Sequence, residues 1–288
     1  MSIVGGDNLQ KPIEKNVYFY KTVADPTFKL FEDNEQIRLY KIFSTVFYKG
    51  CITYVYNEEN STHRFEIISF DDSHIFGIYS KEEQSPNPLM QFRIRTTNET
   101  ESIIPEGDPD KVLEYYTFFL VNFEKGLAAT IYNKQASSID KILQSYFFAS
   151  NCNMSMIPYC MDNVKEAIKS FKRVSDISYT YNSNIASHEF KTMSELRNFD
   201  MEVESLKIKL KISRAGSRLL EDIIKHPSNK FTSFKIKGFS DDAAQQCFDT
   251  IKKSFMRTTK IIIGDEPKNN LQAIKNTLLL EISRIVNN

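Results

Sequence analysis

Seven consecutive residues, Leu206-Lys207-Ile208-Lys209-Leu210-Lys211-Ile212, alternate strictly between aliphatic and lysine side chains. Successive side chains of a strand point to opposite faces. Lys207, Lys209 and Lys211 would therefore share one face, each about 6.6–6.8 Å from the next. That interval is comparable in scale with the separation of neighbouring phosphates along a nucleic-acid strand. Arg214 and Arg218 extend the positive line into the next turn and helix. Lys235 and Lys237 alternate with Phe234 and Ile236 in the same way, and Lys252, Lys253, Arg257 and Lys260 form a third cluster. If the strands pair, these side chains share one basic face. Alternating lysines also keep a sheet face soluble and its edges unpaired, which requires no ligand. Between Met201 and Lys260, however, 13 Lys and Arg stand against 7 Asp and Glu, which brings an anion-binding role level with that explanation. Contacts of this kind read backbone charge rather than base edges, so binding would be salt-sensitive and weakly sequence-selective.

Catalytic chemistry has less to stand on. Glu202 and Glu204 lie two apart beside Lys207, but a metal-dependent nuclease usually has Glu and Lys two apart on one strand after an Asp. No Arg is followed by His at the four-to-six-residue interval of many defence ribonucleases, Arg218 and His226 being too far apart. Neither a phosphate-binding glycine loop nor a nucleophile elbow occurs. His74 beside Asp71-Asp72 is read as a turn histidine rather than an acid–base pair. His63, His74, His188 and His226 have no zinc-ligand spacing, and Cys51, Cys152, Cys160 and Cys247 form no C-x-x-C pair. The cysteines are expected to be reduced and mostly buried. No catalytic residue, metal or cofactor is assigned.

The zero net charge of this 288-residue chain conceals an asymmetry. Residues 1–183 hold 19 Lys and Arg against 24 Asp and Glu, whereas residues 184–288 hold 18 against 13. Of the 36 Phe and Tyr, 29 fall in the first part. The pattern reads as an aromatic-rich body, residues 1–183, joined to a basic lobe, residues 184–288, that meets a polyanion. The first ten residues lack the features of a secretory signal, and no apolar run approaches the roughly 20 residues of a membrane helix. A cytoplasmic protein is expected.

The elements that would position the lysines form an α+β chain with mostly antiparallel sheet. Strands are expected at Asn16–Ala24, Cys51–Tyr56, Arg64–Phe70, Ile75–Tyr79 and Leu89–Thr96, separated by polar and proline-containing breaks. A helix is expected over Asn34–Tyr48, stopped by Gly50. Tyr115–Phe123 and Leu127–Tyr132 flank a turn at Glu124-Lys125-Gly126. A helix capped by Ser137 or Ser138 follows, then a strand at Met154–Tyr159, a short helix ending near Phe171, and a strand at Val174–Thr180. Tyr181–Ser187 reads as a linker. In the basic lobe the expectations are a weak helix near Thr192–Phe199, strands at Val203–Ile212 and Phe231–Lys237, and a helix at Ser217–Lys225. Ala243–Met256 is ambiguous. Leu271–Val286 is an amphipathic helix with Leu271, Ile274, Leu278, Ile282 and Ile285 on one stripe, to be covered by its own domain or a second chain.

The segment Tyr115–Thr180 resembles the RexA phage-exclusion family of lambdoid phages and, more loosely, the KwaB component of the Kiwa anti-phage system. The resemblance rests on order: Phe118-Phe119-Leu120-Val121, a turn, Gly126-Leu127-Ala128-Ala129, a helix ending near Tyr146, Ile157-Pro158, and a charged helix to Phe171. Phe231-Thr232-Ser233-Phe234-Lys235 and the final helix sit in comparable order. It implies a homodimeric, sequence-nonspecific DNA-binding sensor in phage defence, working with a small membrane-protein partner. Together with the basic face, the expectation is a double-stranded DNA-binding protein without catalysis of its own. The alternatives are a metal-dependent nuclease without a recognisable motif, and an interaction module for an acidic protein partner.

Overall fold

A computed structural model describes residues 12–24, 34–48, 51–58, 61–82, 91–93, 100–102, 114–136, 138–159, 171–193, 202–212, 231–249, 254–263 and 270–286. The chain is α+β, with antiparallel ladders throughout. It divides into two compact units, one of residues 22–157 and one of residues 1–21 together with 158–288. This division differs from the expected boundary near Ser183: most of the first strand, and the strand that closes the aromatic-rich half, fall in the same unit as the basic part.

Strand β1 (Ile13–Ala24) begins in the other unit and ends in this one of residues 22–157, where helix α1 (Glu35–Val46) follows it. Asn34 accepts a hydrogen bond from the Gln36 N–H at 2.9 Å, satisfying one of the unpaired donors of the helix start. Strands β2 (Thr53–Glu58), β3 (Ser61–Phe70) and β4 (His74–Glu82) form a meander. The short strands β5 (Gln91–Arg93) and β6 (Thr100–Ser102) pair separately. Strand β7 (Glu114–Asn122) pairs with both β4 and β8 (Leu127–Ile131). Helix α2 (Ile139–Ala149) and strand β9 (Met154–Pro158) complete the run.

Aromatic spacing dictates this core. Phe43 and Phe47, one helical turn apart, meet Phe147 of α2 at ring separations of 4.8 and 5.7 Å. Phe43 also meets Phe123 at 5.3 Å, and Phe47 meets Tyr54 at 4.9 Å. Gly77 of β4 is obligatory, since a Cβ there would lie 2.5 Å from the Glu66 carbonyl oxygen. Ser138 stands at the start of α2 but makes no side-chain cap; its hydroxyl bonds Tyr79 instead. His63 is buried, stacked on Tyr79, with Nδ1 2.9 Å from the Tyr79 hydroxyl.

In the other unit the strand order is β11-β10-β12-β13-β14-β1, with β10 (Arg173–Tyr181), β11 (Lys207–Lys211), β12 (Phe231–Phe239), β13 (Gln245–Asp249) and β14 (Ser254–Ile261). The ambiguous stretch after Ala243 resolves into two strands. The expected linker is instead the start of helix α3 (Ser183–Met193), because the amide groups of Ile185 and Ala186 bond the Asn182 carbonyl and begin the helix without a spacer. The expected helices ending at Phe171 and over Ser217–Lys225 lie mostly or wholly outside the described residues, as do Gly50 and Cys160.

Helix α4 (Leu271–Val286) buries Ile274, Leu278, Ile282 and Ile285. These four residues of the expected stripe are covered within the chain, and Leu271 is half-buried. Alongside α4, Arg257 of β14 is 1% exposed, with its Nε 2.5 Å from Glu281 Oε2. Arg257 also contacts Asp242 and the Ser240 hydroxyl. Arg284, one turn beyond Glu281, bonds it at 2.7 Å and lies 3.5 Å from Asp242. Two cations and two carboxylates thus fasten α4 to the sheet.

Removing Glu281 alone takes from the buried guanidinium its buried counter-charge and leaves it the half-exposed Asp242, and Glu281→Leu should lower the unfolding free energy by about 3–5 kcal/mol. Adding Arg257→Met should recover most of that loss in urea denaturation. A second expectation concerns acid. Burial holds the His63 imidazole below the ordinary histidine value of 6.5. The unfolded chain therefore takes up this proton first, and stability falls as pH drops below 6.5. The carboxyls held low by hydrogen bonds, Asp71, Asp176 and Asp242, lose stability only below about 3.8. Thermal melts between pH 8 and 5 should slope less for His63→Gln than for the parent.

Candidate nucleic-acid interface

Strand register decides which of the basic residues meet. Across β11, β10 and β12 the paired rows are Lys207–Thr180–Ser233, Lys209–Ser178–Lys235 and Lys211–Asp176–Lys237. Directly opposed residues share a face. Lys207, Lys209, Lys211, Lys235 and Lys237 therefore form two columns, about 9.5 Å apart at the backbone because one strand lies between them. The intervening column is Thr180, Ser178 and Asp176. On the next strand, Lys235 faces Asp249 and Lys237 faces Cys247. Asp249 is buried and accepts from the Ser233 hydroxyl at 2.9 Å. Five cations thus stand among two carboxylates on this patch.

β11 is the last strand of its order, and all three of its lysines are exposed. The Lys209 side chain is 55% exposed, so its ammonium can meet a ligand. Lys235 and Lys237, with a strand on either side, are half-buried, which leaves their stems packed and their heads accessible. Helix α3 sets the approach to this edge. The Ser187 hydroxyl accepts from the Val203 N–H at 2.8 Å, and the Tyr181 N–H donates to the Leu206 carbonyl.

Asp176 owes its place to an irregularity. The β10–β12 register shifts between Val174 and Asp176, so Ser175 is an extra residue in the strand. Its hydroxyl donates to Asp176 at 2.8 Å, and its carbonyl accepts from the Ile212 N–H. The bulge turns the buried Val174 toward Gly238 and leaves Asp176 in the lysine row. There its carboxylate is 3.5 Å from Lys209 Nζ. The Ser175 hydroxyl first, then Lys209 and Lys237, hold this carboxyl below the usual range despite an opposing burial effect.

Other nominated cations fall elsewhere. Arg257 is removed from the basic face: its strand alternation points it to the opposite side, where it is buried against Glu281. Lys260 shares the face but pairs in register with Glu14, beyond the row in which Thr258 bonds Asn16. Arg214, Arg218, Lys252 and Lys253 lie outside the described residues. Of the expected strand Val203–Ile212, only Lys207–Lys211 is ladder, and its apolar face is thinly covered. Leu210 is 46% exposed and Ile208 half-buried, because β11 is the outermost strand.

Of the catalytic alternatives, the structure brings together one pair, His74 Nδ1 and Asp71 Oδ1 at 3.1 Å. Glu202 and Glu204 are exposed, and among the described residues no three His, Cys, Asp or Glu gather as a metal site. His74 opens β4, just after a turn where Asp71 accepts from the Ser73 and His74 amides and the Ser73 hydroxyl, an arrangement that closes the β3–β4 hairpin. Cys51, Cys152 and Cys247 are free thiols, and burial pushes the last two up, away from reactivity. Among the described residues no helix is long and apolar enough to cross a membrane.

Asp176, Ser178, Thr180 and Ser233 were not nominated from sequence. The alternation Asp176-Ile177-Ser178-Tyr179-Thr180 carried a signal for their shared face, but not for the lysine strands on either side. No protein-family model matches the chain, and no curated protein matches it.

Unequal burial of the apolar alternates has a measurable consequence. Ile236 is fully buried at the centre of β12. Ile236→Ala should cost about 2–5 kcal/mol, whereas Leu210→Ala should cost under about 1 kcal/mol, measured by urea unfolding.

Proposed function

We propose that the lysine face of β10, β11 and β12 binds double-stranded DNA with little sequence preference, without catalysis of its own. The observation that carries the reading is the register. It gathers five lysines in two columns, with hydroxyls between them and, among the described residues of these paired rows, Asp176 and Asp249 as counter-charge. Lysines on a flat sheet offer point charges rather than the forked donors that read base edges, so they suit a phosphate backbone. Among the described residues β11 is the outermost strand of this order, so its lysines stand at the sheet margin.

The resemblance of Tyr115–Thr180 to the RexA and KwaB families supports placing this binding in phage defence, as a cytoplasmic sensor or effector acting as a homodimer with a small membrane-protein partner. An acidic protein partner would use the same charges but need not match their spacing. That reading predicts tight protein binding with weak competition by duplex DNA.

Fluorescence anisotropy with labelled duplexes of unrelated sequence tests the proposal. Four to five phosphate contacts correspond to a log–log salt slope of about −3.5 to −4.5. The triple variant Lys207→Glu, Lys209→Glu and Lys211→Glu should lose binding while keeping its melting temperature, since these side chains are solvent-exposed. Unchanged affinity in that folded variant would refute the proposal.

A further inference from the structure

We infer that Asp176 is a specificity-determining residue of the lysine face, an internal anion that occupies Lys209 and that an incoming phosphate chain must displace. The inference rests on the nucleic-acid reading above and deepens it.

Three observations converge. Asp176 stands in a row between Lys211 and Lys237 and reaches Lys209 of the neighbouring row, at the middle of the basic patch. An ordinary alternation would not need a carboxylate there, and Val174, the residue two positions earlier, is apolar and buried. The Ser175 bulge resets the alternation so that Asp176 takes the lysine face, while the Ser175 hydroxyl keeps the carboxylate ionised and oriented. At 17% exposure Asp176 is held by the sheet, whereas Lys209 is free to swing away. The row above is different: Lys209 and Lys235 flank Ser178, a hydroxyl that can donate to a phosphate oxygen.

The chemistry of exchange follows. In the free protein Lys209 is neutralised by Asp176. A single small anion would trade one ion pair for another and gain little, while facing repulsion from the carboxylate. A chain of phosphates contacts Lys207, Lys211, Lys235 and Lys237 at the same time, and those contacts offset the loss of the Lys209–Asp176 pair. Asp176 therefore sets a threshold that favours extended polyphosphate backbones over isolated anions.

The test is Asp176→Asn, which keeps the shape and removes the charge, assayed by anisotropy on a 20-base-pair duplex across a salt series. Duplex affinity should rise roughly 3- to 10-fold and the salt slope steepen by about 0.9, one additional counterion released. Inorganic phosphate, used as the small-anion competitor, should displace duplex from the parent poorly and from Asp176→Asn at lower concentration. In a Lys209→Ala background the gain from Asp176→Asn should shrink to under about twofold, because the pair is already gone. Carbon-detected NMR of the parent gives a second readout: the Asp176 carboxyl should titrate at higher pH once duplex is added. Parent binding with no gain in a folded Asp176→Asn, or a gain undiminished beside Lys209→Ala, overturns the inference and leaves the binding face standing. A parent that binds no duplex at low salt overturns both.

Discussion

The buried contact between Arg257 and Glu281 decides how the basic unit is used. A guanidinium taken out of water must be matched almost completely, and here Glu281, Asp242 and the Ser240 hydroxyl surround it. Meeting that requirement lays α4 along the face of the sheet that carries Arg257, with Ile274, Leu278, Ile282 and Ile285 packed beneath. The helix covers one face only. The lysines, displaced by one residue along each strand, lie on the other. A single ion pair thus separates the apolar, covered side from the charged side.

That separation explains why charge density alone misplaces a residue. Arg257 belongs to the most basic stretch of the chain and shares the pattern of Lys252, Lys253 and Lys260 in the sequence. Its strand parity gives it the opposite role, as a fastener. Conversely, Asp176 lies in the acidic half by composition, yet it sits at the centre of the basic patch because β10 is sandwiched between β11 and β12. The unit is assembled from both ends of the chain, so no cut in the sequence isolates it.

The two units hold together by different physics. Residues 22–157 are packed by aromatic side chains on α1, α2 and the meander, where ring edges and faces meet at about 5–6 Å. The other unit has fewer aromatics and relies on a long antiparallel ladder, one amphipathic helix and the four-membered ion network. Its outermost strand is correspondingly light in burial. Leu210 and Ile208 are poorly covered, which suits a strand whose contribution is the exposed lysines on its other face.

Periodicity by itself determined much of this chain. The apolar spacing of Glu35–Val46, Ile139–Ala149 and Leu271–Val286, the continuous apolar runs of β4 and β7, and the alternation within β10 and β12 are local properties, and they mark helices and strands wherever they occur. The alternation of Lys207, Lys209 and Lys211 likewise fixed their common face. What tertiary structure decided was adjacency. The pairing of β11 and β12 with β10 is a long-range choice that no local pattern encodes, and it brings Lys235 and Lys237 beside the first three lysines. The bulge at Ser175, the burial of Arg257 and the placement of β1 beside β14 depend on partners distant in sequence. Local spacing tells which way a side chain points along its strand; only the assembled sheet determines what lies opposite it.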